Sequence, residues 1–191
     1  GGGSRTFEKV RKVLWFENVL FFKLIDKLIE LVTDFLEFQA NCGCDVLMIF
    51  DTWSHMIPEQ YWSKLAIDPI NKIVVELRRR NIKCPIIGFP FKGGEKMIKY
   101  SYESNVDVLS LDWSTDLKWM KRNINSEMAL QGNLDPITLT GNNDNILRDS
   151  VDKILEVMDN RVHIFNLGHG VTPEAKVENI IKVINYVRKR N

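Results

Sequence analysis

The protein has 191 residues, of which 45% are hydrophobic, with 26 basic and 25 acidic side chains. This composition is typical of a globular protein that buries a core, and it excludes an intrinsically disordered chain. Because the formal net charge is +1, there is no bulk basic field to attract nucleic acid or an anionic membrane. We therefore expect neither of them as a partner.

The three cysteines predict a reducing environment. Cys42, Cys44 and Cys84 are an odd number in a chain too long to need a disulfide scaffold, which favours free thiols and a cytoplasmic location. The most apolar stretch, residues 13–38, is interrupted by charged side chains such as Glu17, Lys23, Asp26, Lys27 and Glu30, so it is not expected to span a bilayer.

Residues 5–39 have the pattern of two helices. Leu20, Leu24, Leu28 and Leu31 recur at spacings of three and four, with charged residues between them. A turn near Glu17 and Asn18 is expected to divide the stretch, and Ser4 is a candidate N-cap for the first helix.

The apolar period changes at residues 45–50. This short, continuously apolar run predicts a parallel strand with both faces buried. A helical pattern follows it, starting near Pro58 and ending in Arg78, Arg79 and Arg80, which are expected to form a solvated helix end.

The rest of the chain alternates in the same way. Strand-like runs recur at 85–89, 106–111, 128–131 and 162–167, and helical patterns at 95–103, 117–123, 145–158 and 173–189. Five strands, each followed by a helix, predict an α/β fold with a parallel sheet and right-handed crossovers. No linker interrupts the alternation, so a single domain is expected.

Polar, aromatic and glycine residues gather where these strands end. The five segments that leave the strands are residues 51–53, 88–94, 112–113, 132–136 and 166–170. Because parallel α/β folds hold their active sites at the carboxyl ends of the strands, the site is expected in these segments.

Several of these motifs resemble the uroporphyrinogen decarboxylase family. They are Ile49-Phe-Asp-Thr-Trp53, Leu111-Asp-Trp113, Ala129-Leu-Gln-Gly-Asn-Leu-Asp-Pro136 and His163-Ile-Phe-Asn-Leu-Gly-His-Gly170. The opening Gly1-Gly-Gly-Ser-Arg-Thr-Phe7 is also similar to a family segment. A run of glycines and serine is typical of engineered linkers too, but the following Arg-Thr-Phe favours the family segment.

The resemblance implies a (β/α)8 barrel of the TIM type. Eight βα units close such a barrel, and this chain supplies about five, so residues 1–191 are expected to be the carboxy-terminal portion of a single barrel domain. The aspartate and arginines that carry most of the family's chemistry are expected in the amino-terminal part. For this reason no catalytic residue is assigned here, and the isolated chain is expected to be inactive.

The activity implied is removal of the four acetate carboxylates of uroporphyrinogen III, which gives coproporphyrinogen III in heme biosynthesis. The family uses no cofactor and no metal, and its members are commonly homodimers. An electron-rich pyrrole is protonated next to the carbon that bears the acetate, and the cationic ring accepts the electrons released with carbon dioxide.

Two substrate-binding positions follow from the resemblance. Thr52 matches a family serine whose hydroxyl contacts a substrate carboxylate, although capping of the next helix is an alternative role. His169 matches the family's active-site histidine, between glycines that let a bulky macrocycle approach.

The sequence leaves the roles of the other strand-end residues open. Asp51 and Asp112 could line the site or cap the following helices, and Trp53, Phe89, Phe91 and Trp113 could flank the macrocycle or pack on neighbouring loops. His55 and His163 match no family role. Lys92 is the one basic residue in the five segments, whereas a substrate with eight carboxylates needs several cations.

Two other functions compete with this prediction. Cobalamin-linked methyltransferases of related fold hold zinc through a His-x-Cys pair and a further cysteine at strand ends, whereas Cys42, Cys44 and Cys84 lie at strand starts. The second alternative is a catalytically dead remnant that acts as an interaction protein.

Overall fold

The computed structural model describes residues 6–190 and consists of a parallel sheet covered by helices. Ser4 and most of the Gly1–Phe7 segment lie outside the described residues. The five strands are β1 (Leu47–Asp51), β2 (Ile86–Pro90), β3 (Val108–Ser110), β4 (Ala129–Leu134) and β5 (His163–Leu167). The helices are α1 (Glu8–Phe16), α2 (Asn18–Asn41), α3 (Asp68–Arg79), α4 (Lys96–Glu103), α5 (Leu117–Asn123), α6 (Asp144–Met158) and α7 (Val177–Arg190).

The strand order β1-β2-β3-β4-β5 follows the chain, and every neighbouring pair is parallel. Right-handed crossovers that always step in one direction place the helices on one face of the sheet. This is the arrangement of five consecutive βα units of a (β/α)8 barrel. The predicted α/β fold, the parallel sheet and the break between α1 and α2 are confirmed.

The core lies between the sheet and its helices. Leu47, Ile86, Leu109 and Leu130 point into it from four successive strands and are at most 1% exposed. Leu77 of α3 and Val151 of α6 are fully buried against the same core. Because apolar burial of this kind is the main stabilising term in folding, this side of the sheet holds the described units together.

The opposite, inner face of the sheet is open, which contradicts one expectation. The run 45–50 was predicted to be buried on both faces, but Phe50 is 64% exposed and Val46 is 43% exposed. Ile164 of β5 is also exposed on this side. In a closed barrel the inner faces of the strands cover one another, and five units leave this face without that cover.

The segment between β1 and α3 also differs from the single helix predicted. Short helical turns at Ser54–Met56 and Glu59–Tyr61 lead into a π-helical turn at Ser63–Ile67. Pro69 stands in the first turn of α3 and has no N–H to donate to the preceding turn. The helical hydrogen bonds therefore change from the π-helical to the α-helical spacing at this point, as they do at other π-bulges.

Arg78 and Arg79 are exposed at the end of α3, as the sequence predicted, but Arg78 and Arg80 also bind groups on other elements. Arg80 Nη1 lies 2.6 Å from Asp34 Oδ1 and 2.7 Å from Glu37 Oε2, both on α2. Arg78 donates to Asp107 Oδ2 and to the carbonyls of Ile82 and Cys84. Their guanidinium groups tie α3 to α2 and to the start of β3, because planar forks of donors reach several oxygens at once.

None of the described helices is long and apolar enough to cross a membrane.

Candidate active site

The carboxyl ends of the strands meet at one edge of the sheet. Parallel pairing places Asp51 beside Pro90, and Leu134 beside Leu167. The segments that leave the strands therefore come together, as the sequence predicted. We refer to this group of segments as the strand-end edge.

Thr52 and His169 both lie on the strand-end edge and both are exposed. Thr52 directly follows β1, and its hydroxyl makes no hydrogen bond to the residues the structure describes. The short helical turn that follows has Trp53 at its N-cap, without a side-chain cap, so Thr52 does not have the capping role considered above. His169 follows β5 at the other end of the sheet, and the two residues do not contact each other.

A chain of aromatic rings connects these two positions. Trp53 and His55 have ring centroids 5.8 Å apart, and His55 lies 6.1 Å from Phe91. Phe91 lies 4.8 Å from His169 and 5.4 Å from Trp113, and Trp113 lies 5.7 Å from His169. We call Trp53, His55, Phe91, Trp113 and His169 the strand-end ring cluster. Tilted and edge-to-face packing of this kind holds flat side chains in defined orientations.

The amino-terminal segment also reaches this cluster. The Phe7 ring lies 4.8 Å from the Trp53 ring, next to Thr52. His55, for which the sequence suggested no role, is a member of the cluster, and its Nδ1 is buried without a hydrogen-bond partner among the described residues. Nothing in the local sequence distinguished it from a surface histidine, because its ring contacts come from another loop.

Asp112 holds the loops of the cluster in place. It is 0% exposed, and its carboxylate accepts hydrogen bonds from the backbone N–H of Lys92 at 3.1 Å and of Ser114 at 2.9 Å. The hydroxyls of Ser114 and Thr115 also donate to it. All these donors come from the protein, so Asp112 organises the loops after β2 and β3, and it also lies among the residues that line a hollow beside Lys92. Buried carboxylates require such partners.

Two glycines allow the loops to approach this closely. A Cβ on Gly168 would collide with the backbone of Asp112 and Trp113, so the turn before His169 can pack directly on the β3 loop. Gly132 has φ +118°, in the region that favours glycine, and a Cβ there would lie 2.5 Å from the carbonyl oxygen of Leu111. Gly132 and Gly168, one from each of the two long sequence motifs, therefore have a steric role in bringing these loops together.

Asp51 behaves differently from Asp112. Burial raises the pKa of its carboxyl to about 6, and the backbone N–H of Trp53 offsets part of that effect. The Asp51 charge also contributes to raising the pKa of Tyr100, a buried α4 side chain, although burial is the larger cause. Asp51 thus faces the helix layer rather than the open inner face.

Lys92 supplies the positive charge at this edge. Its Nζ lies 5.3 Å from the centroid of the Phe91 ring and 5.6 Å from that of Trp113. A hollow of about 560 Å³ opens beside it, lined by Lys92, Trp113, Trp119, Glu95 and Asp116 among others. A larger hollow of about 1040 Å³ lies between α5 and α6 and reaches Trp113 and Asn133.

The remaining candidates lie away from the strand-end edge. His163 begins β5, and its Nε2 lies 2.6 Å from the carbonyl oxygen of Gly132; burial lowers its pKa. Cys42, Cys44 and Cys84 are free thiols at the amino ends of β1 and β2. Within residues 6–190, no three His, Cys, Asp or Glu side chains are placed to hold a metal ion together. The described chain therefore offers no ligand set for the zinc-dependent alternative.

The fold and this edge define a parallel α/β protein of the TIM-barrel type. A methyltransferase from Methanosarcina mazei has the same fold over 96% of this chain and 53% of its own length, with a TM-score of 0.80 and 15% identity. A putative vitamin-B12-independent methionine synthase from Listeria monocytogenes superposes with a TM-score of 0.61 and 16% identity, over 87% of this chain and 54% of its own. At such identities the likeness concerns the fold alone.

Sequence comparison identifies the family. The family model of uroporphyrinogen decarboxylase (URO-D) matches residues 1–190, and the chain belongs to this family. The uroporphyrinogen decarboxylase of Rickettsia africae is 37% identical over 98% of this chain and 54% of its own length. That of Granulibacter bethesdensis is 32% identical over 98% of this chain and 54% of its own length. That of Maricaulis maris is 33% identical over 100% of this chain and 55% of its own length. The chain thus spans about half the length of the curated relatives it matches.

Proposed function

We propose that residues 1–191 form the carboxy-terminal portion of a single uroporphyrinogen decarboxylase barrel domain. In this function the complete barrel removes the four acetate carboxylates of uroporphyrinogen III and produces coproporphyrinogen III. The observation that carries the proposal is the strand-end ring cluster with Thr52 and His169 at its two ends, in a chain that belongs to the family.

The proposed reaction needs no cofactor, so the role proposed for Thr52 and His169 is to bind and orient the substrate. At each of the four positions a proton adds to the pyrrole ring, the bond to the carboxylate carbon breaks, and its electron pair moves into the cationic ring as carbon dioxide leaves. A second proton then completes a methyl group, and loss of the first proton from the ring carbon restores the pyrrole. No electron acceptor is needed, because the ring itself takes the electron pair, so no cofactor enters the proposal.

Thr52 and His169 are the substrate-binding residues of the proposal. The free hydroxyl of Thr52 can donate to a carboxylate, and the exposed imidazole of His169 can do the same from the other end of the cluster. The flat ring faces between them can pack against the individual pyrrole rings of the macrocycle, whose charged groups lie at its rim. Water leaves these faces when the macrocycle packs on them, which favours binding.

A chimeric enzyme tests this function. The amino-terminal part of the Rickettsia africae relative is joined to residues 1–191, and conversion of uroporphyrinogen to coproporphyrinogen is measured. Thr52→Val keeps the side-chain shape and removes the hydroxyl, so turnover or product affinity should fall roughly 10- to 150-fold if one hydrogen bond to a charged carboxylate is lost. His169→Asn should change turnover or the release of partly decarboxylated intermediates. Wild-type behaviour of both variants in an active chimera would show that the pocket is misplaced.

We further propose a homodimeric, cytoplasmic enzyme. The free thiols Cys42, Cys44 and Cys84 support a reducing location. Exposed apolar side chains on one side of α2, such as Leu24, Leu31 and Phe35, provide a surface that a neighbouring polypeptide can cover. Light scattering of the active chimera measures the subunit number directly, and a monomer would contradict the dimer.

A further inference from the structure

The ammonium group of Lys92 shares its aromatic support with His169. Lys92 Nζ lies over the Phe91 and Trp113 rings, at 5.3 and 5.6 Å from their centroids. The same two rings lie 4.8 and 5.7 Å from the imidazole of His169. A cation and a titratable donor therefore contact one pair of rings on the strand-end edge.

The backbone of Lys92 is held in an unusual conformation by a buried group. Its φ is +55°, which costs free energy for a residue that carries a Cβ. The Lys92 N–H donates to Asp112 Oδ2 at 3.1 Å, and Asp112 is fully buried. The next N–H, that of Gly93, donates to the carbonyl of Pro90 at 3.0 Å. These hydrogen bonds fix the conformation of the turn. The turn in its fixed conformation places the Lys92 side chain beside the Phe91 and Trp113 rings.

The charge of Lys92 is not neutralised within the described chain. No carboxylate oxygen of residues 6–190 forms an ion pair with it, whereas Lys72 on α3, for example, contacts Asp26 at 2.9 Å. Lys96 provides a further contrast, because its Nζ lies 3.4 Å from the Ile57 carbonyl and over the Trp62 ring. Lys92 is thus the basic side chain that the strand-end segments leave available to an anion.

We propose that Lys92 binds a carboxylate of the porphyrinogen, as a third substrate contact beside Thr52 and His169. This inference rests on the proposed function and names a residue that the family resemblance did not assign. A propionate or acetate group at the rim of the macrocycle would accept a charge-assisted hydrogen bond from Nζ while the macrocycle packs on the Phe91 and Trp113 rings.

The neighbouring carboxylates limit where the anion can lie. Glu95 and Asp116 line the hollow beside Lys92, and their charges disfavour an anion inside it. The carboxylate that Lys92 binds is therefore expected on the side of the ring pair and His169. The macrocycle can then contact the rings and the ammonium at the same time.

Binding of uroporphyrin, the oxidised octacarboxylic porphyrin, tests the inference on the 191-residue chain. Fluorescence titration should give a dissociation constant about tenfold higher for Lys92→Gln than for the wild type, because one hydrogen bond to a charged group is lost. Lys92→Met keeps an apolar side chain over the rings but has no charge, so its affinity for uroporphyrin should fall by as much as that of Lys92→Gln. Lys92→Arg keeps the charge and should stay within about threefold of the wild type. The matched control Lys99→Gln, on the exposed side of α4, should bind as the wild type does.

The outcomes separate this inference from the function on which it rests. Equal affinity of the wild type and both Lys92→Gln and Lys92→Met would overturn the role of Lys92, while an active chimera would leave the decarboxylase function standing. Failure of the wild-type chain to bind uroporphyrin would also overturn the role assigned to Lys92. If the chimera itself makes no coproporphyrinogen, the proposed function fails whatever the titration gives.

Discussion

Asp51, the last residue of β1, and Asp112, two residues after β3, acquire different properties from similar sequence surroundings. Asp112 accepts hydrogen bonds from Lys92, Ser114 and Thr115, so its charge is compensated by fixed donors. Asp51 lies toward the helix layer, where burial raises its pKa to about 6. Each aspartate is followed within two residues by a tryptophan, so the difference comes from the facing elements.

The raised pKa of Asp51 makes stability depend on pH. Its ordinary pKa is 3.8, so between about pH 4 and pH 6 the folded state holds a proton that the unfolded state has lost. The free energy of unfolding therefore falls as pH rises through this window and stays lower above it. Asp51→Asn removes the effect and should raise stability at pH 7 by roughly 2–3 kcal/mol, with no difference below about pH 4.

Urea unfolding of the two proteins between pH 3.5 and 8 measures this difference. The exposed Asp149→Asn on α6 is the matched control, because it changes the same atoms without changing a buried group. Parallel pH profiles for the wild type and Asp51→Asn would show that Asp51 titrates normally.

At the scale of elements, the site depends on loops that are pressed together. The turn after β5 packs on the loop after β3 because Gly168 has no Cβ, and the Gly168 N–H donates to the carbonyl of Leu134 at 2.7 Å. Asn133 adds a second connection, since its Nδ2 donates to the carbonyl of Asp112 at 2.8 Å and to that of Thr115 at 3.1 Å. The position of His169 therefore depends on three successive strands rather than on its own loop.

Gly168→Ala tests this packing. The added Cβ would collide with the backbone between Asp112 and Trp113, which cannot move away as a side chain can. We expect a loss of about 1–3 kcal/mol in the free energy of unfolding and a displaced His169, seen as weaker uroporphyrin binding. Gly170→Ala, on the other side of His169, has no atom within 4 Å of its Cβ and should change stability by less than about 0.5 kcal/mol. Equal effects of the two substitutions would argue against the steric role of Gly168.

At the scale of the whole molecule, the inner face of the sheet is open to solvent. Phe50 and Ile164 are exposed on a face that a closed barrel covers. Among the described residues β1 and β5 each pair on one side only, so both edges keep unpaired backbone groups. Thr52 and His169, the binding residues of the proposal, thus lie at the end of a sheet whose inner face the described units leave open.

The pure 191-residue chain is expected to form no coproporphyrinogen above a buffer control. One available cation at the strand-end edge cannot compensate eight substrate carboxylates, and an open edge does not exclude water from the reacting ring. An anaerobic assay with uroporphyrinogen, followed by chromatography of the oxidised porphyrins, measures this. Turnover comparable to that of a full-length relative would contradict this reading of the open sheet.

The regular part of the fold could be predicted from periodicity, and the irregular part could not. The apolar spacing of α2 and α6 and the short apolar runs of β2 and β5 are local patterns, so their positions were predicted to within a few residues. The π-helical turn at Ser63–Ile67 and the ring contacts of His55 depend on neighbours that the local sequence does not reveal.

The sequence by itself determined the order of elements, the edge of the sheet where the candidate site was sought and the family motifs around Thr52 and His169. These features follow from patterns among residues that are close together in the sequence. The spacing of apolar side chains along the chain decides whether a helix or a strand can bury them on one face. Only the tertiary structure decided that Phe50 is exposed, that Asp51 and Asp112 differ, and that Lys92 and His169 share two aromatic rings. Burial, pKa and ring contacts are properties of residues brought together from distant parts of the chain, so no local pattern specifies them.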